Sequence, residues 1–217
     1  MIYWLYEKLL LRQIHLLPEH ICFMLTGLDL ADSPEKILEV THWCRDLSER
    51  VFASRRKGYR SSDNYKVTGI RGLTYHISTP DPESMRAYLP DIRLIAGIAR
   101  LTLLCGPHEE KTGEGMEVTV AIGKSGREEI ASCIREMARQ GISPEEVDEA
   151  LIESNLKFKY TPDFVIKTGG DHLTDFLIWQ SVYSELFFID LNWRWMRRVD
   201  FLRALRDYQA RVRRFGR

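Results

Sequence analysis

The sequence predicts a single α/β domain with a central, mostly parallel sheet of about six strands flanked by helices. Short apolar runs of strand length recur along the 217 residues, and helical patterns lie between several of them. That alternation gives parallel strands joined by crossover helices, which pack on both faces of the sheet. No linker or internal repeat divides the chain, and its length suits one ordinary domain over 1–217.

The first element is a helix over 2–16, inside an amphipathic segment 1–17. Ile2, Leu5, Tyr6, Leu9, Leu10 and Gln13 share one side, and Tyr3, Trp4 and Leu11 widen it. The continuous apolar run 20–25 reads as a buried strand. Ser33 is placed to cap the next helix and Pro34 fits its first position. Ile37, Leu38, Val40, Thr41 and Leu47 follow. Residues 54–66 (SRRKGYRSSDNYK) are polar and basic and read as a flexible surface loop. Strand-like runs follow at 73–78, 92–98, 101–105, 116–122, 163–167 and 185–190. Ser125 with Glu128 caps a helix to about Gln140, and Ser143 with Glu146 caps another to about Ser154. Further helices are expected from Thr174 or Asp175 to Tyr183, and over 198–214.

Composition excludes several classes. With 44% hydrophobic and 29% charged residues the chain is not globally disordered. Lys plus Arg and Asp plus Glu both number 31, so there is no overall basic excess of the kind nucleic-acid binders carry. The four cysteines (22, 44, 105, 133) form no CxxC pair and read as reduced core thiols of a cytosolic protein. Charges interrupt the apolar start at Glu7, Lys8 and Arg12, unlike a secretory signal. No apolar run reaches membrane-spanning length. Residues 194–217, however, hold nine Arg and two Asp, a net of +7. Such an end is either a solvated amphipathic helix or a contact for an anionic partner.

The segment 162–190, PDFVIKTGGDHLTDFLIWQSVYSELFFID, is the most informative. A strand ends near Lys167, and Thr168, Gly169 and Gly170 form a turn whose backbone amides can hold an anion. The whole string resembles the C-terminal signature of cis-prenyltransferases, the undecaprenyl and dehydrodolichyl diphosphate synthases. Theirs reads close to D-L-(V/I)-I-R-T-(G/S)-G-E-x-R-(L/I)-S-(N/D)-F-L-L-W-Q-x-x-Y-(S/A)-E-L-Y-F. Pro18, Glu19, His20 and Ile21 are similar to the family's entry into its first strand. Gly126 to Ile130 (GREEI) are similar to its G-G-R-x-E-I helix start. Trp193 matches the Trp of its L-W-P, and Arg214, Phe215 and Gly216 match its R-x-G end. Residues 50–115 align poorly apart from Ile77, Ser78 and Thr79.

Departures from the pattern bear on function. In the family a catalytic Asp of the first motif binds Mg2+ and the allylic diphosphate. Here Leu25, Thr26, Gly27, Leu28 and Asp29 stand in that place: Thr26 replaces the Asp, Leu28 an Asn and Asp29 an Arg. A neutral hydroxyl does not supply the anionic oxygen that Mg2+ favours. Lys167 replaces the later motif's first Arg, keeping the charge without the bidentate fork. Gly170, Asp171, His172 and Leu173 are one residue short of G-E-x-R-L, so the next Arg is missing.

The resemblance therefore implies no catalytic residue in this chain. It implies a non-catalytic subunit of the Nogo-B-receptor type, paired with a catalytic cis-prenyltransferase homologue in a heterodimer or heterotetramer, or else a homodimer. Only the C-terminal prenyltransferase-like domain of that receptor is comparable. Arg214, Phe215 and Gly216 would reach isopentenyl diphosphate in the partner's site, and the partner would bind most of the Mg2+. Lys167, Thr168, Gly169 and Gly170 are residual anion-binding candidates. Glu185 matches a metal-ligand position, its other reading being a structural or interface carboxylate. Trp179, Tyr183, Glu185, Phe187 and Trp193 are candidates for a dimer interface. Phe23, Met24, Trp43 and Tyr75 could fill the hydrophobic tunnel that active relatives keep open. The alternative is a divergent homodimeric transferase active by itself. Either protein is expected in the cytoplasm, with peripheral membrane contact and no nucleic acid.

Overall fold

In the computed structural model, residues 2–56, 69–106, 108–123, 125–158, 160–169 and 177–211 are described, the side chains of 2, 3 and 51–56 excepted. Chain order is α1 (Ile2–Gln13), β1 (His20–Thr26), α2 (Gly27–Asp32), α3 (Lys36–Arg56), β2 (Gly72–Ser78), α4 (Leu89–Arg93), β3 (Arg100–Cys105), β4 (His108–Thr112), β5 (Glu117–Ile122), α5 (Gly126–Arg139), α6 (Glu149–Asn155), β6 (Phe164–Thr168), β7 (Glu185–Ile189) and α7 (Arg198–Ala210). The seven strands form one sheet in the order β4-β3-β5-β2-β1-β6-β7. Every pairing is parallel except β3 with β4.

The continuous apolar strands are buried on both faces, as parallel strands covered by helices must be. Ile21, Phe23 and Leu25 of β1, with Leu73, Tyr75 and Ile77 of β2, join residues of α1, α3 and α7 in the main core. On the opposite face Cys22, Met24, Ala121 and Val165 pack with Phe158 and Leu177. Cys133, Met137 and Leu156 gather a smaller cluster around α5 and α6. All four cysteines are buried free thiols. Burial pushes Cys22 up to about 12 and raises Cys44 and Cys105. Those three therefore stay protonated and are not poised as nucleophiles.

Several expectations are corrected. The seventh strand is β4, HEEKT, which is too charged to read as a strand. It is the exposed edge of a hairpin with β3, where charge blocks further pairing. The expected strand 92–98 is instead the end of α4 and a 3-10 turn, Leu94–Gly97. Ile92 and Ile95, three apart, are both buried while Leu94 is exposed, which is helical spacing. Helix α2 was not anticipated, and Ser33 is its C-cap. The helix expected from Ser143 to Ser154 divides. Ser143 and Glu146 do form a capping box, but around a 3-10 turn, and Asp148 caps α6 through Leu151 N at 2.8 Å. Residues 178–183 form turns, and the expected start of a helix at 174 or 175 lies outside the described residues. Of the expected loop 54–66, residues 54–56 instead continue α3, and 57–66 lie outside the described residues.

At the N-terminal edge of the sheet the His20 ring stacks on Tyr160 at 5.0 Å, and its Nε2 meets Thr74 Oγ1 at 2.8 Å. A Cβ at Gly72 would come within 2.5 Å of the ring, so Gly72 leaves the room that His20 occupies. Burial lowers the His20 pKa to about 4. The unfolded histidine takes up its proton near 6.5, so the unfolded chain binds more protons between those values. Stability is therefore expected to fall as pH drops from about 6.5 to about 4, by up to about 3 kcal/mol, and to level off below. Urea midpoints of wild type and His20→Gln should converge over that window. A constant gap would remove His20 as the source.

Candidate functional site

The chain leaves β1 towards β2 on one side and returns later to β6 on the other. The crevice beyond the C-terminal ends of β1 and β6 is thus the topological switch point, where open α/β sheets bind ligands. Met24 pairs with Lys167 in register. This brings Thr26, at the end of β1, beside Lys167, Thr168 and Gly169 at the end of β6.

Thr26 is committed to local structure. Its hydroxyl donates to Asp29 Oδ2 at 2.8 Å and accepts from Asp29 N at 3.2 Å. Asp29 Oδ2 also accepts from Thr26 N at 2.8 Å. The pair is a capping box at the start of α2. Asp29 thus orders its own helix start. The next residue, Leu30, is fully buried.

On β6, Lys167 is only 6% exposed and its Nζ donates to Thr168 O at 2.6 Å. Alternation along the strand puts Lys167 on the face of Met24 and Val165, and Thr168 on the opposite one with Phe164 and Ile166. Gly169 has φ +70°, and its N–H donates to Leu191 O at 3.0 Å. That amide is not free for an anion. Thr168 Oγ1 is buried without a hydrogen-bond partner, so it is the donor still available in this turn among the described residues. Gly170 lies outside them. A cleft of about 460 Å³ opens beside Gly169, lined by Asp190, Leu191, Asn192 and Trp195. Asp190 at its rim disfavours a diphosphate.

The main-core face behind the crevice is filled with rings. Phe23 stacks on Tyr75 at 5.4 Å and meets Trp193 at 5.9 Å and Phe201 at 6.0 Å. Trp43 stacks on Phe201 at 6.2 Å. Of the four residues expected to fill a tunnel, Phe23, Trp43 and Tyr75 share this cluster. Met24 lies on the other face of the sheet.

The described residues do not fit a Mg2+ site within one chain. Thr26 offers a neutral hydroxyl, and the Asp29 carboxylate is engaged in the cap. Glu185 starts β7 opposite Phe164, level with the N-terminal ends of β1 and β6, whereas Thr26 ends β1 at the opposite end of the strands. Its Oε2 pairs with Arg211 Nη1 at 3.4 Å, which supports its reading as a structural carboxylate. Among the described residues no group of three or more His, Cys, Asp or Glu could hold a metal ion.

The interface candidates scatter. Trp193 is fully buried in the chain's own core, a correction, because a ring enclosed by Phe23 and Tyr75 has no face left for a partner. Trp179 is half-buried on the α5–α6 cluster. Phe187 is half-buried between Phe164, at 6.0 Å, and the Arg211 guanidinium, at 5.8 Å. Tyr183 is 55% exposed, and Ile178, Val182 and Phe188, which the interface set omitted, are exposed as well. Arg214, Phe215 and Gly216 lie outside the described residues. Much of the basic end is paired internally: Arg194 with Asp32, Arg197 and Arg203 with Asp200, Arg198 with Glu7, and Arg211 with Asp207. The sequence did carry a signal for the capping box, in Thr26-x-x-Asp29, whereas the Leu191 partner of Gly169 had none.

A family profile described as undecaprenyl diphosphate synthase matches residues 102–216. The chain is 34% identical to an isoprenyl transferase of Thermus thermophilus, over 260 aligned positions that cover 100% of this chain and 96% of the relative. That alignment is longer than the 217-residue chain, so the relative has segments without a counterpart here. A short-chain Z-isoprenyl diphosphate synthase of Mycobacterium bovis is 46% identical over 199 positions, covering 84% of this chain and 76% of the relative. The fold superposes on lavandulyl diphosphate synthase of Lavandula x intermedia, solved in complex with dimethylallyl diphosphate. The TM-score is 0.65 at 20% identity, covering 92% of this chain and 98% of that one.

Proposed function

Since this chain belongs to the cis-prenyltransferase family, that of the undecaprenyl diphosphate synthases, we propose that it serves the condensation of isopentenyl diphosphate with an allylic diphosphate to a polyprenyl diphosphate, as a non-catalytic activating subunit. One observation carries the subunit role: Thr26 stands where the family pattern has its acid, and its hydroxyl is tied into a capping box with Asp29. An allylic diphosphate must lose its diphosphate, so groups that stabilise the departing charge carry much of the rate. This crevice offers a buried lysine turned onto its own backbone, an unpartnered threonine hydroxyl, and Asp190. A catalytic homologue of the Nogo-B-receptor partner type would supply the acid and Mg2+. Arg214, Phe215 and Gly216 would reach isopentenyl diphosphate in its site. Peripheral membrane contact belongs to the same reading.

The second reading is a divergent homodimeric transferase active by itself. The relatives favour it over the first, because those matching most of the chain are named as an isoprenyl transferase and an isoprenyl diphosphate synthase. Purified chain with farnesyl diphosphate, isopentenyl diphosphate and Mg2+, alone and with a catalytic homologue, separates the two. Background turnover alone and a large rise with the homologue is the expected result. Full turnover alone would establish the second reading.

A further inference from the structure

The outward face of α1 has no assigned role. Trp4, Leu5 and Leu9 are 60%, 57% and 47% exposed, while Leu10 and Ile14 on the other side are buried in the main core. Lys8 and Arg12 are exposed as well. At 100° per residue, Trp4, Lys8, Arg12, Leu5 and Leu9 share one arc of the helix. The Lys8 ammonium lies 3.6 Å over the Trp4 ring, so cation and aromatic project together.

Charge is sorted between the two sides. Glu7, the one acidic residue of the helix, turns inward to pair with Arg198 at 3.3 Å. The outward arc therefore carries cations and no anion. Apolar side chains, an aromatic and lysine and arginine on one exposed face are the features of a helix lying in a bilayer interface. The long basic side chains keep their heads at phosphate level while their stems stay with the apolar residues. Twelve residues cannot span a bilayer, and no helix among the described residues is long and apolar enough to do so.

We propose that Trp4, Leu5, Lys8, Leu9 and Arg12 form a docking face for the surface of a bilayer containing anionic lipid. This deepens the proposed role in polyprenyl synthesis and rests on it for its purpose, while the geometry stands alone.

The test is co-sedimentation of the full chain, without substrates or partner, with phosphatidylcholine vesicles and with vesicles containing about a third phosphatidylglycerol. Wild type should pellet with the anionic vesicles, and less so at high salt. The Trp4→Ser, Leu5→Ser, Leu9→Ser variant should bind about ten-fold more weakly with an unchanged melting temperature. A separate Lys8→Glu, Arg12→Glu variant should lose the preference for anionic vesicles, and it answers the question if the triple variant does not fold. Wild type left in the supernatant, or variants that bind like wild type, would overturn the proposal. So would a concentration-dependent self-association abolished by the triple variant without vesicle binding, since the face would then meet a second copy. No turnover is measured, so these outcomes leave the transferase question untouched.

Discussion

Arg214→Ala is expected to cut the activation of a catalytic cis-prenyltransferase homologue by about 10²–10³-fold, the usual effect of removing one preorganised donor to a charged group in an active site. A guanidinium can meet two diphosphate oxygens at once, and a methyl group leaves those oxygens without a counter-charge. Arg214→Lys should fall between, because it keeps the charge but not the fork. Deletion of 214–217 should match the alanine variant. The measurement is turnover of the mixed complex at saturating allylic diphosphate, with complex formation checked by gel filtration. If Arg214→Ala activates as well as wild type, the activating role through Arg214 is lost. If the chain turns over alone and Arg214→Ala abolishes that turnover, the protein is an autonomous transferase.

Phe23→Ala is expected to cost about 3–5 kcal/mol of stability. Phe23 is fully buried in the middle of β1, with Tyr75, Trp193 and Phe201 around it. Its partners are held by β2, a 3-10 turn and α7, so they cannot easily close over the space left behind. Tyr75 is further fixed by donating to Ile37 O at 3.1 Å. Leu28→Ala is the control: that side chain is 82% exposed, and its loss should stay within about 0.5 kcal/mol. Urea unfolding of both variants gives the comparison. A loss below about 1 kcal/mol for Phe23→Ala would mean the ring cluster is looser than its distances indicate.

The central strands were legible because each is a continuous apolar run, which needs no neighbour to be recognised. Helix α5 was legible from Ser125, which does accept from Glu128 N at 3.1 Å. Strand β4 was not, since HEEKT is held by its pairing with β3 and not by its own residues. The run 92–98 misled because it is apolar throughout, so only packing separates alternate burial from burial every third residue. At the site, the identity of Thr26 was readable and Thr26-x-x-Asp29 has the spacing of a capping box, but that the carboxylate closes this cap depends on the chain turning into α2 directly after β1. The orientation of Lys167 depends on which face of β6 it occupies, which no local pattern encodes.

The four buried thiols give this protein an intrinsic set of opening reporters. Each sits in a different structural unit: Cys22 in the central strand β1, Cys44 in α3, Cys105 at the end of β3 and Cys133 in α5. A thiol-reactive probe reaches a sulfur only when its surroundings part, so labelling rates at each position measure local excursions from the native state. Mass mapping of the modified peptides would rank those excursions, comparing the α5 layer with the sheet beneath it. The unmodified sequence already carries what such an experiment usually has to engineer.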